Sequence, residues 1–298
     1  MAAHETGFCD LHLHSTASDG TDAPRDLPRL CQAAGLRGFA LTDHDTTAGL
    51  AECAEAAAKL GIDFLPGIEL SADPDVRKAG RSEGTLHLLG YGIDPQHPQL
   101  AAIAQRMVDA REQRNPRIVE KLNALGVRLS YAEVVEFARS VAGGDERAVV
   151  GRPHIAQIMV SKGYVKSMHE AFSKYLGAGG AAYTRRDRLA AGEAIEAVHA
   201  AGGVVSLAHP VQLKIDDADA LEHTLARLVE LGLDAIEARH SDHTPADVQR
   251  FSRLAERFHL LTTGGSDYHG SRKTVTLGSQ RVPYEAFASL REAMVERR

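Results

Sequence analysis

The feature that most restricts the fold of this chain is a recurrence. Seven short apolar runs, at residues 8–13, 38–41, 63–70, 85–91, 204–208, 235–238 and 260–263, have the length of strands, and nearly all have a histidine or a carboxylate at or near the C-terminal end. Stretches with helical spacing fit between or after them at 24–34, 46–60, 218–231, 245–258 and 284–295. Alternation of this kind reads as an α/β protein. Asp10-Leu11-His12-Leu13-His14 closes the first run, and Thr42-Asp43-His44-Asp45 follows the second. Glu69 lies at the end of the third, His87 within the fourth, His209 just after the fifth, and Asp267 and His269 after the last. On a strand, residues i and i+2 face the same way, so His12 and His14 are expected to grip one ion, with Asp10 on their face and Leu11 and Leu13 in packing. Residues 15–20 read as a loop that brings Asp19 to the same strand end. In a barrel of parallel strands all C-terminal ends open onto one face, so these residues are expected to meet there in a metal centre.

The middle of the chain breaks the pattern. Residues 97–199 read as nearly all helix with no convincing β run, and a structureless linker of that length is implausible. The expected organisation is therefore a barrel formed by 8–96 and 200–298, carrying a helical insertion at 97–199. Charge separates the two parts. Residues 101–188 hold 15 basic and 9 acidic side chains, net +6, whereas the rest of the chain is net −12. An acidic body with a basic insertion suggests cations held by one and an anionic substrate by the other.

Composition narrows the setting. At 298 residues, 44% apolar and 25% charged, the chain is long enough for a large core and is neither disordered nor fibrous. Histidine, at 15 residues, is as frequent as tyrosine and phenylalanine together. The three cysteines form no CxxC pair, so a disulfide framework or a thiolate zinc site is not expected and a reducing cytoplasm fits. The polar first seven residues contain no apolar signal core, and no run approaches the ~18 apolar residues of a membrane span. The dinucleotide fingerprint GxGxxG is absent, which argues against a nicotinamide enzyme.

In order, DLHLHS, TDHD, GIELS, LAHP and GSDYH resemble the motifs of the PHP (polymerase and histidinol phosphatase) family of metal-dependent phosphoesterases, and the resemblance spans essentially the whole chain. It is closest to the nucleoside 3′,5′-bisphosphate phosphatase and 5′-3′ exoribonuclease branch. The resemblance implies a distorted (β/α)7 barrel holding two or three divalent ions. It assigns His12, His14 and Asp267 to a first ion, with Glu69 bridging to a third. Asp19, His44 and His269 go to a second, and His87 and His209 complete the third. These nitrogen and oxygen ligands, without thiolate, suit Mn²⁺ first, with Fe²⁺ or Zn²⁺ as alternatives.

Clustered divalent ions supply hydroxide near neutral pH and clamp phosphoryl oxygens. The expected reaction is hydrolysis of nucleotide phosphate esters, foremost the 3′-phosphate of nucleoside 3′,5′-bisphosphates to leave the 5′-monophosphate. The alternatives, in order, are 5′-3′ exoribonuclease action on short 5′-phosphorylated RNA, histidinol-phosphate phosphatase, and a non-catalytic metal-dependent nucleic-acid binding module. His209 and His243 are candidates for the leaving-group acid, although His209 reads better as a ligand.

On the insertion, Leu100, Ile103, Met107, Ile118, Leu122 and Leu125 mark a buried helical stripe. Arg114 falls on that stripe with Arg111 one turn earlier, and an inward guanidinium needs an anion. Pro116 is expected to bend or restart the helix beside Arg114 and Asn115; a reset of phase would turn both arginines to water. In Gly151-Arg152-Pro153-His154, Arg152 and His154 are expected to touch phosphate, against the reading that they cap and pack. Asp73, Asp75, Arg77, Lys78 and Arg81 read as a solvated loop, and residues 185–188 (RRDR) as an exposed hinge. His4, His97, His169, His199, His223 and His259 read as surface or packing residues, and His240 as near the site without a counterpart in the family motifs.

Overall fold

The computed structural model describes residues 6–73, 84–141, 149–184 and 189–297. Asp75, Arg77, Lys78, Arg81, His4 and the cluster at 185–188 lie outside the described residues.

The strands are β1 (Phe8–Asp10), β2 (Gly38–Leu41), β3 (Asp63–Asp73), β4 (Leu86–Tyr91), β5 (Leu189–Ala190), β6 (Val204–Leu207), β7 (Ala235–His240), β8 (Leu261–Gly265) and β9 (Val282–Pro283). The α-helices are α1 (Leu27–Ala33), α2 (Leu50–Leu60), α3 (Pro98–Ala124), α4 (Tyr131–Val141), α5 (Arg152–Ser161), α6 (Met168–Ala171), α7 (Ala191–Ala200), α8 (Ala218–Glu230), α9 (Pro245–Phe258) and α10 (Tyr284–Arg297). All seven expected strands form, and the short β5 is a strand that the helical reading of 97–199 did not include.

The sheet runs β8-β7-β6-β4-β3-β2-β1, with β9 on the outside of β1 and β5 on β3. The chain beyond β1 then meets the chain beyond β8: Leu11 N donates to Gly264 O at 3.1 Å, and His14 N to Tyr268 O at 2.9 Å. The sheet thereby nearly closes as a seven-strand α/β barrel. Not all its strands are parallel. The eleven-residue β3 pairs parallel to β2 through Asp63–Pro66 and then antiparallel to β4 through Gly67–Ala72, and β4 is antiparallel to β6 as well. The all-parallel expectation fails at β4, and the reversal has a consequence for the site. His87, second residue of β4, sits at the strand's N-terminal end. In a reversed strand, that end lies on the face where its neighbours present their C-terminal ends.

The surrounding helices stop where their ends dictate. A capping box between Thr244 and Asp247 starts α9, with Pro245 in its first turn. The α2 helix ends at Gly61, whose φ of 67° suits a residue without a Cβ.

Helix α3 joins two separate apolar cores. Leu100, Ile103 and Met107 pack into the core around the barrel, while Ile118, Val119 and Leu122 belong to a second core with residues of α4 and α5. Between them the same face buries Arg111, Arg114 and Asn115. The helix continues through Pro116, so its phase is not reset and the arginines do face inward. Leu125 leaves the stripe: it follows the last helical residue and is 49% exposed.

Candidate metal centre

The extended segment after β1 turns His12 and His14 to one side while Leu11 and Leu13 are buried in apolar packing, as period-two alternation requires. Strand β8 packs against this segment only because residue 265 is glycine: a Cβ there would lie 2.3 Å from His12 Cβ. Asp10 does not join the ligand groups. Its carboxylate accepts from Ser266 N and Gly278 N, both at 2.8 Å, and fastens the barrel's closing seam.

After β2, the carboxylates flanking His44 serve the backbone. Asp43 accepts from Ser15 N at 2.8 Å, Ser15 Oγ at 2.6 Å and the Ser18 hydroxyl, which orders the loop that presents Asp19. Asp45, at φ 55°, accepts from Ser71 N at 2.9 Å. His209 (φ 26°) and Asp267 (φ 55°) are also non-glycine residues at positive φ, a clustering of backbone strain that marks functional sites.

Glu69 is the hub. Its Oε1 lies 2.6 Å from His87 Nδ1 and 3.0 Å from His209 Nε2. Its Oε2 lies 2.9 Å from His44 Nδ1, 3.1 Å from His14 Nε2 and 3.3 Å from His12 Nε2. Asp267 Oδ1 is 3.3 Å from His14 Nε2, and Asp19 Oδ1 is 3.2 Å from His269 Nε2. All nine sequence-derived ligand residues therefore converge, in groups whose donor atoms lie within 4.8 Å of one another. His12, His14 and Asp267 form one group; Asp19, His44 and His269 form another, to which His14 also belongs. The set expected around Glu69 divides in two, His87 grouping with His44 and His209 with His12.

The donors fit divalent cations. His14 Nδ1 and Nε2, Asp19 Oδ1, His44 Nδ1 and His209 Nδ1 are buried without a hydrogen-bond partner. Buried polar atoms cost free energy unless something satisfies them, and imidazole nitrogens mixed with carboxylate oxygens are ligands for such ions. Burial pushes the Glu69 carboxyl up, but His44, His87 and His12 outweigh it and hold the group well below the usual range. Asp19 and Asp267 are held low as well, against burial, by His269 and His44 at the first and by Lys273 and His269 at the second. Burial also pulls His14 down, yet Asp267 and Glu69 carry it up to about 9. At His87 burial prevails and the imidazole falls to about 4, which leaves it neutral and able to ligate.

Sequence reasoning placed His240 near the site without a role and missed Glu237 and Lys273, the other supports behind the candidate ligands. Glu237 Oε1 accepts from His12 Nδ1 at 3.0 Å, which aims Nε2 at the centre, and Oε2 accepts from His209 N at 2.7 Å. Glu237 thus holds two candidate ligands, one beyond β1 and one beyond β6, and itself forms a further candidate group with His12 and His240. His240, fully buried, faces Asp267 Oδ2 at 3.4 Å, and Lys273 pairs with Asp267. The available signal was an acidic residue inside the apolar run 235–238.

Of the candidates on the substrate side, Arg111 turns to the barrel, donating from Nε to Asp45 Oδ2 at 3.1 Å. Arg114 Nη2 donates to Asn115 Oδ1 at 2.8 Å, and Asn115 Nδ2 to Val150 O at 2.8 Å. His154 Nδ1 accepts from Gly151 N at 3.0 Å at the start of α5. Arg152 donates to Leu176 O at 2.9 Å. Arg114 and Arg152 line a small cavity beside His87. Seven of the nine candidate ligand residues, all but His12 and His14, border a cavity of about 270 Å³ walled on one side by Pro153, Met168 and Phe172. A further cavity of about 620 Å³ also reaches His87 and is lined by Arg152, Phe172 and Tyr183. His243 borders none of these. Its Nδ1 donates to Ala238 O at 3.0 Å and its ring packs on Phe251.

The chain is similar to several known proteins. The model of the PHP domain matches residues 10–179. A 5′-3′ exoribonuclease of Haemophilus influenzae is 34% identical over 90% of this chain and 92% of its own. A phosphoribosyl 1,2-cyclic phosphate 1,2-diphosphodiesterase of Eggerthella lenta is 34% identical over 92% and 98%. A 3′,5′-nucleoside bisphosphate phosphatase of Chromobacterium violaceum is 33% identical over 87% and 86%. Among solved structures, a metal-dependent phosphoesterase of Bifidobacterium adolescentis superposes with a TM-score of 0.83 at 32% identity, covering 95% of this chain and 94% of its own.

Proposed function

The chain belongs to the PHP family of metal-dependent phosphoesterases, and from that premise we propose that it removes the 3′-phosphate of nucleoside 3′,5′-bisphosphates to leave the 5′-monophosphate. The observation that carries the proposal is Glu69: one buried carboxylate within 3.3 Å of five imidazoles, with orphaned ligand atoms around it. His12, His14, Asp19, His44, Glu69, His87, His209, Asp267 and His269 are the ligands of two or three ions. Mn²⁺ is our first choice for this thiolate-free set of imidazoles and carboxylates, with Fe²⁺ or Zn²⁺ as alternatives. Bound there, such ions provide hydroxide near neutral pH and offset charge on the phosphoryl oxygens.

The chain's own residues do the rest. Glu237 orients His12 and fixes the His209 backbone, Asp43 sets the Asp19 loop, and Lys273 and His240 hold Asp267. Arg114 and Arg152 face the substrate from the insertion, whereas Arg111, Asn115 and His154 position the segments that carry them. His209 serves as a ligand rather than the leaving-group acid. The three cysteines are free and buried, which supports a reducing, cytoplasmic setting. Among the described residues no helix is long and apolar enough to cross a membrane.

A second reading, exoribonuclease action on short RNA, is favoured by the cavity of about 620 Å³ lined by Phe172, Tyr183 and Arg152, where a further base can stack. The test is phosphate or nucleotide release by protein purified with Mn²⁺, with metal counted on the same sample. Substrates are a nucleoside 3′,5′-bisphosphate, mononucleotides, 5′-phosphorylated oligoribonucleotides and histidinol phosphate. The bisphosphate is expected to be turned over fastest. Metal-loaded protein that hydrolyses none of them ends the enzyme reading.

A further inference from the structure

Next to the metal centre, the cavity of about 270 Å³ has a cationic wall built by the barrel rather than by the insertion. Lys273 in that wall is engaged by Asp267. Its neighbour Arg272 uses one nitrogen: Nη2 donates to Gln157 Oε1 of α5 at 2.9 Å, which ties the guanidinium to the insertion. The other faces of the fork are different. Nε and Nη1 are shut off from solvent and make no hydrogen bond. Asp19, which borders the same cavity, is turned to His269 instead.

A guanidinium is always charged and offers five donors, and donors withdrawn from water without an acceptor cost free energy. A fold accepts that cost where an oxyanion compensates it. The planar Nε/Nη fork matches two oxygens of a phosphoryl group better than an ammonium does.

We propose that Arg272 is a substrate-phosphate receptor of this chain, its guanidinium at the wall of the metal-lined cavity taking oxygens of a phosphoryl group there, with Gln157 holding one end of the fork. The inference deepens the phosphoesterase reading and rests on it for the ligand being a phosphate ester. That an oxyanion binds at Arg272 stands on the geometry alone.

Inorganic phosphate is the probe, titrated by calorimetry into Mn²⁺-loaded protein whose metal content is counted. Arg272→Met is expected to weaken phosphate binding roughly ten- to a hundredfold, the range for hydrogen bonds to charged groups. Metal content and thermal midpoint stay as in the parent, and in turnover the loss falls on KM more than on kcat. Arg272→Lys keeps the charge without the fork and falls between. Gln157→Ala leaves the guanidinium but releases it, loses less than Arg272→Met, and carries the test should Arg272→Met not fold. Unchanged phosphate affinity in Arg272→Met and Gln157→Ala overturns the proposal, as does loss of metal with the arginine. If the parent binds phosphate through Arg272 but hydrolyses no ester, the phosphoesterase reading fails and the receptor stands. If it hydrolyses esters and Arg272→Met behaves like the parent, the receptor fails alone.

Discussion

The strand-end face of the barrel and the middle of α3 are both buried and both polar, yet they are satisfied differently. Along α3, Arg111 bonds Asp45, Arg114 bonds Asn115, and Asn115 bonds Val150 O. At the strand ends, ring nitrogens of His14 and His44 and an oxygen of Asp19 crowd against Glu69 and His269 without forming hydrogen bonds, and His209 Nδ1 is buried with no hydrogen-bond partner. A polar network whose members answer one another rigidifies the junction it fills. A cluster of buried donors and acceptors left over after protein contacts are counted calls for a ligand. Burial of charge therefore does not by itself distinguish a structural seam from a functional site; the distinction lies in whether the partners come from the chain.

The largest effect should come from breaking the seam. Arg111→Ala removes the buried guanidinium that bonds Asp45, and unfolding in denaturant should show a loss of about 3 kcal/mol. The folded fraction should bind phosphate as before; weakened phosphate binding at full stability would make α3 part of the substrate site and erase the contrast.

Glu237→Gln attacks the other region from behind. A glutamine side chain cannot accept from both His12 Nδ1–H and His209 N–H, so one support is lost. Metal affinity, measured by chelator competition, should fall roughly 10- to 100-fold, the usual cost of removing an outer partner of a ligating histidine. Full retention of affinity would show that the ligands orient themselves.

His154 gives the smallest effect, visible only in acid. Burial and the neighbouring Arg272 lower its imidazole from 6.5 to about 4, so the folded chain holds it neutral. Its contribution is present above the unfolded value of 6.5 and is lost as pH falls toward about 4. His154→Gln should therefore flatten the pH dependence of stability between those values and leave it unchanged at neutral pH. An unaltered slope would mean that the ring titrates normally at the start of α5.

Much of the centre was legible in the chain before folding. Period-two alternation places His12 and His14 together whatever the rest of the fold does, and a candidate ligand at or near the end of nearly every short apolar run identifies the face where runs converge. Helical spacing likewise put Arg111 and Arg114 on the buried side of α3. Legibility ended where direction and partner choice began. Nothing local says that β4 runs backwards, so His87 read as a residue within a strand rather than one at the shared rim. Asp43 and Asp45 flank His44 in the same four residues, and only three-dimensional neighbours separate loop fasteners from ligand.

The sequence by itself determined which residue types and periodicities could build a barrel with a metal-ligating face, because strand and helix geometry act over a few neighbouring residues. Tertiary structure decided which buried charges answer one another. It joined Arg111 to Asp45, 66 positions away, and His12 to Glu237, 225 positions away. It also left Arg272 Nε and Nη1 without a protein partner. Hydrogen bonds and ion pairs depend on distance in space, and the closing of the barrel sets those distances.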